Sequence, residues 1–141
     1  MERKATAVWQ GGLRDGQGAL TTDSKVLSNT PYSFGTRFEA SPGTNPEELL
    51  GAAHAGCFSM ALSMQLGEAG IRPERIETKA TITLEKLDTG FTITRSHLDV
   101  AVKAPGADRS KFDAAAQKAK AGCPLSKVLK AEISMDARLE G

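Results

Sequence analysis

Apolar and polar positions alternate most cleanly near the end of the chain. Ala131, Ile133, Met135, Ala137 and Leu139 fall on one side of an extended segment, and Glu132, Asp136, Arg138 and Glu140 on the other. The same period of two marks Ile76, Thr78, Ala80, Ile82 and Leu84, and again the stretch Phe91 to Lys103, with a turn at Asp88-Thr89-Gly90 between them. In the second of these the apolar register jumps between Ile93 and Leu98, which predicts a bulge near Ser96-His97. Weak alternation over Ala5 to Gln10, followed by Asp15-Gly16, predicts a hairpin with a partner strand at about Gly18 to Asp23. Beyond a loop with Pro31, Phe34, Thr36 and Phe38 alternate with Gly35, Arg37 and Glu39, which predicts a third strand over Phe34 to Ala40.

Two segments carry the helical period instead. Asn45 reads as an N-cap, Pro46 suits the first helical position, and Glu48 completes a capping box. The helix so begun runs to about Leu66, with Gly67 and Gly70 as stop signals. Leu50, Ala53, Cys57, Met60, Ala61 and Met64 share one side, the expected core face. Gly51, Ala52, Ala55 and Gly56 thin its first half. Glycine costs about 1 kcal/mol against alanine in a helix, so two of them imply close approach of another backbone. Asp108 caps a second helix that buries Phe112, Ala115, Ala116 and Ala119 and ends at Gly122. Cys123-Pro124 then opens a short helical turn with Leu125, Val128 and Leu129. Strands and helices are segregated, so the fold class is α+β, in one domain covering residues 1–141.

Composition narrows the function. At 141 residues and 14.9 kDa, the chain can bury about two-thirds of its unfolded surface. It is 40% hydrophobic and 25% charged, as globular proteins are. A net charge of +1 and only seven aromatic residues argue against a nucleic-acid partner. No signal-like apolar run follows the charged start Met1-Glu2-Arg3-Lys4. The most apolar stretch, Leu49 to Met64, is sixteen residues long and contains His54, which is short and polar for a bilayer span. The expectation is a cytoplasmic protein with no membrane association. Two cysteines in such a compartment are catalytic, metal-binding or inert rather than a permanent staple.

Cys57 lies inside the apolar helix, where a cysteine can also be a small packed hydrophobe. Cys123, as an N-cap before Pro124, faces unpaired N–H groups that lower a thiol pKa. Cys57 lacks such help and needs a cation to become a thiolate. Arg37 is the candidate, because it never deprotonates and its planar fork can be fixed by a carboxylate. The plainer alternative is a solvated strand charge pairing Glu39. His54, three residues before Cys57, could be a base, but a packed histidine is the simpler reading. A zinc site would need His54, His97, Cys57 and Cys123 together, and their spacing matches no standard pattern. No metal is expected.

Three motifs carry a resemblance. Thr44-Asn45-Pro46-Glu47-Glu48-Leu49-Leu50-Gly51-Ala52-Ala53-His54-Ala55-Gly56-Cys57-Phe58-Ser59-Met60-Ala61-Leu62-Ser63, Phe34-Gly35-Thr36-Arg37-Phe38-Glu39, and Lys118 to Ser126 around Cys123-Pro124 resemble the OsmC family, related to the organic hydroperoxide resistance (Ohr) proteins. The likeness covers essentially the whole chain, and His54 follows the OsmC branch. It implies antiparallel sheets packed around a long central helix, an intertwined homodimer with active sites at its interface, and thiol peroxidase activity with no metal or other cofactor. Cys57 then matches the peroxidatic cysteine, Cys123 the resolving one, and Arg37 and Glu47 the pair that holds the thiolate. The implied partners are a hydroperoxide and an external dithiol, for which the likeness suggests a lipoyl group. Phe34, Phe38, Met60 and Leu125 are candidates for an apolar wall around the substrate. Two rival readings remain: a binding module with structural cysteines, and a thiol oxidoreductase acting on protein disulfides, which the lack of a C-x-x-C pair weakens.

One consequence follows from helix geometry. Glu47 and Cys57 are ten residues apart, about 15 Å along an unbroken helix. Either the helix bends, with Gly51 or Gly56 as the weak point, or a second chain supplies Glu47. The thin helix surface favours the second option.

Overall fold

In the computed structural model, which describes residues Met1–Gly141, three antiparallel strands come first: β1 (Ala5–Gln10), β2 (Gln17–Thr22) and β3 (Thr30–Tyr32), in that spatial order. Gly18 on β2 is paired with Trp9 on β1 and with Tyr32 on β3. The two rings lie 5.5 Å apart between centroids. A Cβ at Gly18 would stand 2.6 Å from the Trp9 ring, so the aromatic pair can close only over glycine. Pro31 belongs to β3, an edge strand, where a missing N–H is tolerated.

The third strand expected at Phe34 to Ala40 is absent; a short helix α1 (Phe34–Phe38) stands there. Its cause is local. Ser33 Oγ accepts the Thr36 N–H at 3.3 Å, and Thr36 Oγ1 accepts the Ser33 N–H at 2.9 Å, a reciprocal cap that satisfies two otherwise free donors. Phe34 and Phe38, alternate positions in a strand reading, become neighbours one turn apart with ring centroids 5.0 Å apart.

Helix α2 (Pro46–Glu68) begins at the expected cap, with Asn45 Oδ1 accepting the Glu48 N–H at 2.8 Å, but the Glu48 carboxylate accepts from Thr44 Oγ1 at 2.8 Å instead of closing the expected capping box. It runs through Gly51 and Gly56 without a break. Its core face differs from the expected one. His54, Phe58, Leu62 and Leu66 are fully buried, whereas Met60 and Met64 are 78% and 57% exposed. The buried stripe lies about a third of a turn from the expected one. A helix apolar on nearly every side gives periodicity no face to select.

The chain forms two compact units, Met1–Leu49 and Leu50–Gly141. The buried apolar core lies wholly in the second. Phe58, Leu62 and Leu66 of α2 meet Leu98, Val100 and Val102 of β5 and Phe112 and Ala116 of the next helix. Each large apolar side chain buried there contributes about 1.5–3 kcal/mol. The sheet comprises β4 (Arg75–Leu87), β5 (Gly90–Lys103) and β6 (Glu132–Glu140). β4 and β5 are antiparallel, with the register shift opposite Thr83/Leu84, at Thr94 rather than at Ser96-His97. β6 pairs parallel with β5, not antiparallel. Helices α3 (Arg109–Gly122) and α4 (Pro124–Val128) form the crossover that a parallel pair requires. Apolar Ile133, Met135, Ala137 and Leu139 of β6 pack on the core as their alternation predicts.

At 23 residues and a mean hydropathy of 1.2, α2 is long and apolar enough to cross a bilayer, longer than the sixteen-residue stretch read from sequence. One face of it, His54 to Leu66, packs instead on protein. The first unit contributes no side chain to the buried core, and every residue of β1 is exposed.

Candidate active site

The two thiols meet. Cys57 is half-buried on α2; Cys123 is buried at the junction of α3 and α4. Both are free, and the Cys123 thiol donates to Cys57 Sγ at 2.9 Å. The Cys123 N–H closes α3 on Ala119 O at 2.9 Å, and Pro124 starts α4 at the next residue. Cys123 is thus the expected N-cap by position, but its sulfur makes no cap bond; it is turned to Cys57 instead. Burial pushes the Cys57 thiol pKa up, competition with the adjoining Cys123 thiol for the negative charge adds to this, and a bond from the Leu125 backbone N–H opposes it. Leu125 can provide that N–H because it lies in the first turn of α4, where N–H groups have no intrahelical acceptor.

Arg37 and Glu47 form a two-pronged ion pair within the first unit. Arg37 Nε donates to Glu47 Oε1 and Oε2 at 3.1 and 3.3 Å, and Nη2 donates to Oε1 at 2.7 Å. Planar guanidinium and planar carboxylate suit this geometry. The simpler sequence reading, a pairing with Glu39, is replaced by Glu47, which turns in from the first turn of α2. Arg37 also lies 5.1 Å from the centre of the Phe38 ring. Beside it opens a cleft of about 270 Å³ lined by Trp9, Leu13, Tyr32, Ser33, Phe34, Arg37 and Phe38. Phe34 and Phe38 of the expected apolar wall are here. Met60 is on the exposed face of α2, and Leu125 packs against the core of the second unit. Sequence reasoning missed Trp9, Leu13 and Tyr32. The available signal was composition: four of the seven aromatic residues line this one cleft.

His54 is fully buried. Its Nδ1 pairs with Ser96 Oγ at 2.7 Å and its Nε2 with Ser126 Oγ at 2.9 Å. Burial lowers its pKa from 6.5, so the ring is neutral, with one nitrogen donating and one accepting. Both nitrogens are thereby occupied. His97 lies in another cluster, with Nδ1 2.6 Å from Ser134 Oγ and Nε2 3.4 and 3.2 Å from Asp99 and Asp136 carboxylate oxygens. His97, Asp99 and Asp136 are the side chains whose spacing could hold a metal ion.

Of the two thin-walled glycines, Gly51 is close to another backbone. A Cβ there would lie 3.4 Å from Ile82 and 3.5 Å from the Ala80 carbonyl oxygen of β4. Gly56 faces open space.

Residues 38–138 match the family model described as OsmC-like protein. The chain belongs to the OsmC-like family. Among its OsmC relatives, the peroxiredoxin OsmC of Escherichia coli is 55% identical over 140 residues, 99% of this chain and 98% of that one. The organic hydroperoxide resistance protein OhrB of Bacillus subtilis is 31% identical over 124 residues, 87% and 88% of the two chains. The crystal structure of that OhrB superposes with a TM-score of 0.69 at 27% identity, covering 97% and 98% of the two chains. An OsmC-like protein of unknown function from Vibrio cholerae shares the fold at a TM-score of 0.77 and 16% identity, over 98% and 99% of the chains.

Proposed function

We propose that this OsmC-like protein is a thiol-dependent peroxidase that reduces organic hydroperoxides, and hydrogen peroxide as well, to the alcohol and water. The observation that carries the reading is the pair of free sulfurs 2.9 Å apart in a chain 55% identical to a peroxiredoxin. The Cys57 thiolate attacks the distal oxygen of ROOH; the O–O bond breaks, ROH leaves, and Cys57 becomes a sulfenic acid. The Cys123 sulfur then attacks Cys57, water leaves, and a disulfide forms. An external dithiol, lipoyl in our reading, reduces it by exchange. A disulfide needs about 2.05 Å between sulfurs, so the two thiols have only a short way to move.

Within one chain, burial disfavours the Cys57 thiolate. A nearby cation must reverse that, and we assign the role to Arg37, oriented by Glu47. The pair stands in the first unit and the thiols in the second. With α2 unbroken between Glu47 and Cys57, we assign the Arg37–Glu47 pair of one protomer to the Cys57 of its partner in a homodimer. Two further observations support assembly: the first unit has no buried core of its own, and Met60 and Met64 stand exposed on α2. The aromatic cleft beside Arg37 offers apolar surface to the organic group of ROOH. A cytoplasmic location, without nucleic acid or membrane as partner, completes the reading.

The test is steady-state peroxide consumption with cumene hydroperoxide against hydrogen peroxide, reduced by dihydrolipoamide or by thioredoxin. Turnover of cumene hydroperoxide, lost in Cys57→Ser, is the expected result. Thiols inert to both peroxides would return the protein to the binding-module reading.

A further inference from the structure

His54 is a titratable residue at the N-terminal end of the buried apolar stripe of α2, and the redox chemistry proposed above does not use it. Its surroundings give it a specific connection. On the helix it stands three residues before Cys57; its Nε2 bonds Ser126, which stands three residues after Cys123. Its other nitrogen is held by Ser96 of β5, itself fully buried. The imidazole therefore joins α2, β5 and α4 at one point.

Helix α4 has little else to hold it. It is five residues long and buries none of its own side chains. An isolated helix of that length has no stability of its own. Leu125 packs partly against the core, and Pro124, Lys127 and Val128 are exposed. Ser126 is the α4 side chain hydrogen-bonded to the buried interior. A bond of this kind, in a low-dielectric interior with both ring nitrogens satisfied, resists displacement, because breaking it leaves a buried polar atom unpaired.

We propose that the His54–Ser126 bond positions the resolving thiol. By anchoring α4 to α2 one turn from each sulfur, it keeps Cys123 against Cys57 while the sulfenic acid exists. His54 is thus a positioning residue for the second chemical step and not for the first. Resting on the peroxidase reading, the proposal concerns a competition. The Cys57 sulfenic acid either loses water to Cys123 and becomes a disulfide, or meets a second ROOH, releases ROH and becomes a sulfinic acid. Holding Cys123 in place raises its effective concentration at Cys57 and favours the disulfide.

The test follows the states of Cys57 in the full-length protein by rapid quench, a sulfenic-acid trapping reagent and mass spectrometry. Ser126→Ala is the main variant, since a half-buried serine on a surface helix can be truncated without threatening the core. Its sulfenic acid should form at the wild-type rate. Its disulfide should form about fivefold more slowly, the scale of one lost hydrogen bond. Its sulfinic fraction at a fixed peroxide excess should rise in step. Ser126→Thr, which keeps the hydroxyl, should restore resolution. In a double-mutant cycle, His54→Gln should add little to Ser126→Ala on the resolution rate.

Wild-type resolution in Ser126→Ala would overturn the proposal. So would equal slowing of both steps, which marks general loosening rather than positioning. If the wild-type protein forms no sulfenic acid at Cys57, the peroxidase reading itself falls, and that result is distinct from either of the others.

Discussion

Cys57 and Cys123 are 66 positions apart in the chain and 2.9 Å apart at their sulfurs. Neither residue's own element creates this contact. It arises because α2 and α3 bury Phe58, Phe112, Ala116 and Ala119 in one core, and α3 ends at Cys123 above the turn of α2 that carries Cys57. The pair sets up the first expected outcome. Cys57→Ser should abolish peroxide consumption. Cys123→Ser should complete the first oxidation and then accumulate sulfenic and sulfinic acid, seen as mass additions of one and two oxygens. Equal inertness of both variants to one equivalent of peroxide would sink the assignment.

Arg37 should control the ionisation of Cys57. Burial raises the thiol pKa, and a guanidinium close to the sulfur acts in the opposite sense. Alkylation by iodoacetamide follows the thiolate fraction, so Arg37→Ala should shift the pH profile of Cys57 alkylation to higher pH. The variant should be slow near neutrality and catch up as pH rises. A loss of one unit corresponds to about 1.4 kcal/mol of thiolate stabilisation. Arg37→Lys should rescue poorly, since an ammonium cannot reproduce the two-pronged contact with Glu47. An unshifted profile would return Arg37 to a surface role.

Because Arg37 and Glu47 pair within one chain, they should complement as a unit. Under the proposed trans arrangement, mixed dimers of Glu47→Ala with Cys57→Ser would have one site carrying both defects and one site intact. Up to half of the wild-type activity per dimer should return after subunit exchange. Arg37→Ala in place of Glu47→Ala should behave the same way. Verified exchange without recovery would show that the pair acts on its own chain's thiol.

The two faces of α2 should answer differently to substitution. Phe58 is fully buried, so Phe58→Ala should cost about 3–5 kcal/mol in denaturant unfolding. Met60 is 78% exposed. Met60→Glu should leave the secondary structure intact by circular dichroism and shift the proposed homodimer toward monomer in sedimentation velocity. A variant that sediments as wild type would remove Met60 from the interface.

Stability should depend on pH through His54. Its folded pKa lies below the 6.5 of an unperturbed histidine, so the unfolded state binds the proton first. The stabilisation is therefore complete above pH 6.5 and is lost as pH falls from there through the folded pKa. His54→Gln cannot titrate. Its Tm should lie below wild type at pH 7.5, by the equivalent of about 1–3 kcal/mol, and the gap should narrow as the pH is lowered. A gap independent of pH would contradict the buried neutral imidazole.

Much of this protein is written in short stretches of its sequence, where the deciding physics is local. Asn45-Pro46 starts α2 because the cap oxygen needs only a donor three residues on. Asp108 starts α3 in the same way. The β6 alternation holds because one side of that strand is buried and the other wet. Cys57, Cys123 and Arg37 were readable as candidate chemistry from residue type and local setting, whereas Glu47 entered only through the family resemblance.

Other features were decided only when distant segments met. The buried face of α2 could not be read from a helix apolar on nearly all sides; packing on β5 and α3 chose the stripe of Phe58, Leu62 and Leu66. Alternation in β6 sets which residues face inward but not the strand's direction, so the parallel pairing with β5 follows from the α3–α4 crossover. Phe34 to Phe38 obeys a two-residue pattern and still forms helix, because the Ser33–Thr36 cap and the Phe34–Phe38 contact outweigh it. Arg37 had a carboxylate two residues away in Glu39 and chose one ten residues away in Glu47. Hydrogen-bond geometry acts over about 3 Å of space, and separation along the chain does not enter into it.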